Sequence, residues 1–194
     1  TDCIQDFVGA FRDCVKQLNA DLELACGPRT SAFAPLTGYN HRRLLDVTDF
    51  FCPKLYFWQH GIDGLKGTIY RYAKTMMEWN EGVEESLALG FAQRLFDISL
   101  PGVVSLDDLS QPLSAEFFRE TVPAEIDKMI YRSGGAEPLR PWLGLHHGGV
   151  RISPDELEQL LEAVATSGLL SMIYWHYSDM SEEEWRLLQR HITT

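Results

Sequence analysis

From residue 3 to residue 18 the chain reads CIQDFVGAFRDCVKQL, with Ile4, Phe7, Val8, Phe11, Val15 and Leu18 recurring every three or four positions. That period gathers them on one stripe of an amphipathic helix. The pattern then shifts to short apolar runs that do not alternate cleanly: LELACG, TDFFCPKLYFW, RPWLGLHH and LLSMIYWHY. Such runs read as strands covered on both faces, the habit of parallel sheets flanked by helices. Pro53 lies inside the second run and brings no N–H, so a local irregularity is expected there. Between the runs the helical period returns in NHRRLLDV, GLKGTIYRYAKTMMEWN, EGVEESLALGFAQRLF and SAEFFRETVPAEIDKMIYR. DISLPGVVSLDDLSQPL reads as a loop with one short extended piece.

Two late helices carry explicit start signals. In SPDELEQLLEAVATSG, Ser153 is placed to cap, Pro154 to occupy the first helical position, Glu156 to close a capping box and Gly168 to stop the helix. SEEEWRLLQRH repeats the box with Ser181 and Glu184. The strand runs begin near residues 22, 50, 141 and 169, so two of the three intervals are about 28 residues, one βα unit each. The long middle interval holds one unit plus a mostly helical insertion at about 80–135. The expected class is therefore α/β, built from parallel βα units.

The candidate chemistry collects where strands end. Arg29 follows the first run; Tyr56, Trp58 and His60 close or follow the second; His146 and His147 end the third; Trp175, His176 and Asp179 end the fourth. Ligands of parallel α/β proteins bind at strand carboxyl ends. None of the connecting loops has the glycine spacing of a dinucleotide or P-loop site.

The stretches GPRTSAFAPLTGY, CPKLYFWQHGIDGLKGTIYRYAKTMMEWN and MIYWHYSDMSEEEWRLL resemble the carboxyl-terminal half of glycoside-hydrolase-like (β/α)8 barrel proteins. The resemblance implies that residues 1–194 form a partial barrel, strands 5–8, and that the missing amino-terminal half or self-association completes it. It also implies glycan binding, with hydrolysis, at the carboxyl rim. Glycoside hydrolysis uses two carboxyl groups. Those near the expected rim are Asp63 and Asp179, and each also suits an ordinary turn. Arg29, Tyr56, Trp58, His60, His146, His147, Trp175 and His176 are the expected substrate contacts. LHHGG supplies no carboxylate after the third strand, which leaves a non-catalytic carbohydrate- or partner-binding barrel as a rival reading. A metal-dependent hydrolase using His60, His146 or His147, His176 and Asp179 is a further alternative; no histidine motif of known metal spacing is present, so neither metal nor cofactor is expected.

Composition narrows the partners. Seventeen Lys and Arg against 28 Asp and Glu give a formal net charge of −11, which repels phosphate backbones and anionic membranes. No apolar stretch is long enough to span a bilayer and no signal peptide opens the chain, so a cytoplasmic protein is expected, read as a fragment because TDCIQDF begins inside a helix. Cys3, Cys14, Cys26 and Cys52 are too few for a disulfide scaffold and read as small buried hydrophobes in a reducing compartment.

Overall fold

The computed structural model describes residues 2–57, 64–147, 150–175 and 180–192, and only the backbone of His146, His147, Val150, Trp175 and Ile192. Helices dominate it. α1 (Asp2–Leu18) is followed by the short α2 (Ala34–Thr37) and α3 (His41–Leu45), then α4 (Leu65–Trp79), α5 (Glu85–Leu95), α6 (Val122–Ser133), α7 (Pro154–Ala165) and α8 (Glu182–Ile192). The strands are two or three residues long: β1 (Ala25–Cys26), β2 (Phe50–Phe51), β3 (Lys54–Leu55), β4 (Trp142–Gly144), β5 (His146–His147), β6 (Val150–Arg151) and β7 (Ile173–Trp175).

The expected half-barrel does not form. The parallel strands make two small sheets, β1–β2 and β3–β4–β7, linked by a single bridge between Phe51 and Leu139. A third pairing, β5 with β6, is antiparallel. Proline explains much of the shortness. Pro53 separates β2 from β3, and Pro138 and Pro141 precede β4, so three backbone positions that would extend the ladder have no N–H to give. Apolar runs reveal burial and leave ladder bonds uncounted, and four runs of barrel-like spacing shrank to stubs.

The helices supply most of what the strands lack. Phe33, Phe51, Leu55, Leu65, Ile69, Leu89, Ile126, Met129, Leu143 and Leu157 are buried in one cluster that joins sheet and helices. Residues of the expected insertion enter it directly, through Leu89, Phe117, Phe118, Val122 and Ile126. Each fully buried side chain of this size contributes roughly 1.5–3 kcal/mol by leaving water. The capping box of α7 forms as expected, with Ser153 Oγ accepting from the Glu156 N–H and Glu156 reaching back to the Ser153 N–H. Gly168 adopts the left-handed conformation (φ 79°) three residues past the end of α7.

Two expectations about surfaces need correction. The stripe of α1 splits: Ile4 and Val8 pack on the core while Phe7, Phe11 and Leu18 face outward, Leu18 with 85% of its surface exposed. The apolar arc of that helix is wider than the face it can bury. Cys3 and Cys14 ride on the same helix and are exposed, so only Cys52 is fully buried and Cys26 partly so.

Preceding α6, residues Phe117–Thr121 form a π-helical turn in which the Val122 N–H donates to the Phe117 carbonyl five residues back. Pro123 accounts for the widening, since it brings no N–H to the Arg119 carbonyl four residues earlier.

Candidate functional site

β3, β4 and β7 end side by side. Lys54, Trp142 and Ile173 share one register level, Leu55, Leu143 and Tyr174 the next, and Gly144 pairs with Trp175 beyond them. The chain leaves all three strands at one edge, and α4, α7 and α8 follow from it. The start of α4 is fixed to β3 by the Leu65 N–H, which donates to the Tyr56 carbonyl at 2.7 Å. Ile152, just ahead of α7, donates to the Leu145 carbonyl at 2.9 Å. Helix N-termini carry partial positive charge. At α7 and α8 that charge already meets acidic first turns, Asp155 and Glu156 in one and Glu182, Glu183 and Glu184 in the other.

Arg29 and Tyr56 are the expected substrate contacts whose side chains are described. Arg29 is half-buried, donates to the Thr68 hydroxyl at 2.9 Å and lies 5.2 Å above the Phe33 ring. Tyr56 is half-buried, with the Lys54 ammonium 5.7 Å from its ring centre. The Arg29 side chain thus fastens on the first turn of α4 through Thr68, whereas Tyr56 reaches it only by its backbone carbonyl. Leu55 and Phe57 are buried on either side of Tyr56, so the tyrosine's parity takes it away from the helix-packed face. Trp58, His60, Asp63, His176 and Asp179 lie outside the described residues. The backbone of Trp175 ends β7 opposite Gly144.

The histidine pair sits differently from expectation. β4 stops at Gly144, and His146 and His147 form the first arm of an antiparallel hairpin, opposite Arg151 and Val150. The chain thus folds back on itself before α7 begins. Arg151, on the returning arm, donates through Nε to Glu184 Oε1 at 2.9 Å and again through a terminal nitrogen. Glu184 also takes the Ser181 N–H at 2.6 Å, so one carboxylate caps α8 and holds the hairpin. Burial would raise the Glu184 carboxyl, but the hydrogen bonds from Arg151 and Ser181 outweigh it and hold the group below the usual range.

A cavity of about 220 Å³ is lined by Lys66 of α4, by residues of the loop between Leu100 and Ser114, and by Phe117. The Phe117 ring meets Phe57, which follows β3, edge to face at 5.1 Å. Leu113 donates its N–H to Glu156 of α7 at 2.9 Å. These contacts tie the cavity wall to the segment after β3 and to α7. Lys66 stands in the wall with 7% of its surface exposed, and its ammonium donates to the Gln111 carbonyl at 2.6 Å. Burial pulls its pKa below the ordinary lysine value, while Glu156 draws it partly back. Asp108, also on the lining, accepts from the N–H groups of Val104 and Ser105 and from the Ser105 hydroxyl, which lower its pKa.

Lys66 was not among the residues singled out from the sequence. One signal was available: a lysine at the second position of a helix opposes the macrodipole, and a residue that breaks a local rule marks a place to look. Among the described residues, no group of three His, Cys, Asp or Glu side chains could hold a metal ion. No described helix is long and apolar enough to cross a membrane. No family model, curated protein or solved structure matches this chain.

Proposed function

We propose that this chain binds a glycan at the carboxyl edge of the β3–β4–β7 sheet, and that glycoside hydrolysis is the accompanying reaction. The observation that supports it most is the shared register of the three strands. It starts the segments bearing Tyr56, Trp58, His60 and Asp63, then His146 and His147, then Trp175, His176 and Asp179, from one edge. An aromatic ring matches the apolar C–H face of a sugar, while imidazole and guanidinium groups suit its hydroxyls. Asp63 and Asp179 follow the two outer strands and provide the two carboxyl groups that the chemistry requires.

A glycan panel presented to residues 1–194 tests this directly. Binding that weakens in Tyr56→Ala and Trp175→Ala, with release of reducing ends lost in Asp63→Asn and Asp179→Asn, is the expected result. Binding untouched by either aromatic substitution would remove the sheet edge as the site. Turnover that persists in both aspartate variants would remove the two carboxyl groups from the reaction.

A further inference from the structure

We infer that the glycan this edge binds is acidic, and that the cavity at Lys66 receives a carboxylate of the sugar; the inference rests on the reading of the edge as a glycan site. Lys66 is more than nine-tenths buried, yet among the described residues its only hydrogen-bond acceptor is the neutral Gln111 carbonyl. An ammonium has three N–H donors, so two remain. No described carboxylate lies within ion-pair distance of it, although the chain carries 28 acidic residues.

Glu156, whose charge Lys66 senses, spends its oxygens on the N–H groups of Leu113 and Ser153 and the Ser153 hydroxyl. Asp108, also on the lining, takes three donors from the 104–105 segment, all on Oδ2. Neither carboxylate pairs with Lys66, whose ammonium keeps its one neutral acceptor on the cavity wall.

That space has the right scale. About 220 Å³ is below the usual volume of a whole-ligand pocket but ample for a group the size of one sugar unit's edge. Leu100, Pro101, Val103, Leu113 and Phe117 form apolar walls, and Asp108, Gln111 and Ser114 add polar ones, so a charge-assisted hydrogen bond to Lys66 would form in a partly apolar setting. Phe117 joins the wall to Phe57 and hence to the segment that carries Trp58 and His60. A C6 carboxylate entering the cavity would give the ammonium a counter-ion, whereas a hydroxymethyl group would not.

The test uses oligosaccharides in matched pairs of the same linkage, with C6 as hydroxymethyl in one and carboxylate in the other, titrated against residues 1–194. The expected result is about tenfold or greater preference for the carboxylate member, carried by one charge-assisted hydrogen bond. Lys66→Met keeps the apolar stem and removes the charge; it should abolish the preference while leaving affinity for the neutral member unchanged. Equal affinity for both members in the wild type, or a preference that survives in Lys66→Met, overturns the acidic assignment and leaves the glycan reading standing. Binding to no member of any pair overturns both.

Discussion

Lys66, Glu125 and Glu184 are buried charged side chains among the described residues, and the first two have opposite surroundings. Glu125, on α6, has no exposed surface. Its carboxylate accepts the Ala32 N–H at 3.1 Å and the Lys128 ammonium at 2.9 Å, with Arg132 near enough to act on it. Burial raises its pKa, and Lys128, the Ala32 N–H and Arg132 work to bring it down. Lys66 has one neutral acceptor and a cavity in front of it. The first arrangement is closed: its partners come from α6 itself and from the turn at residues 31–33, and it fastens that turn to the helix. The second is open on one side. A buried charge that fastens two elements is surrounded by the chain's own opposite charges, and a buried charge kept for something else is not.

Breaking the closed arrangement should give the largest effect. Glu125→Ala leaves the Ala32 N–H without its acceptor and Lys128 without its buried partner, and should cost about 3 kcal/mol in urea unfolding. A loss under a tenth of that would show that α6 holds the turn without the carboxylate.

A third buried polar group sharpens the contrast. His41 is buried against Phe51 with its ring centre 5.3 Å away, and neither ring nitrogen has a hydrogen-bond partner. Burial, helped by Arg132, lowers its pKa from 6.5 to about 4, so it stays neutral where Glu125 is paired. Because the folded pKa is depressed, the unfolded chain takes up this proton first. The stability linked to His41 is present above about pH 6.5 and is lost as pH falls toward about 4. His41→Phe keeps the edge-to-face contact and removes the titration. Its urea midpoint should therefore fall less than the wild type's between pH 7 and pH 4.5; parallel curves would mean that His41 is not a source of the acid sensitivity.

The open arrangement should respond least and in the other direction. Lys66→Met removes a buried ammonium with no carboxylate partner, and should raise stability by up to about 1 kcal/mol in the same denaturation series. A loss of more than that would make Lys66 a structural group like Glu125.

Several elements were legible from residue pattern because their signals are local. α7 and α8 begin where the serine and glutamate spacing places them, and each box closes through the hydrogen bonds that spacing allows. Pro53 marks the break between β2 and β3 for a reason internal to proline. The half-barrel failed because strand length depends on partners far along the chain, and the runs around Pro53, Pro138 and Pro141 lacked donors to extend their ladders. The candidate site was legible as a set of strand-end residues. The Arg29 side chain and the Tyr56 carbonyl each bond the first turn of α4, while the backbone of the histidine pair lies in an antiparallel hairpin.

The sequence by itself determined the helix starts, the acidic surface charge and the order in which aromatic and imidazole side chains leave the strands, because each follows from neighbours within a few residues. Only the tertiary structure decided that β3, β4 and β7 end level, that Glu125 is enclosed, and that Lys66 faces a cavity walled by residues 34 to 51 positions further along the chain. Those outcomes depend on which distant groups arrive beside each charge, and burial makes that company worth far more than it would be in water.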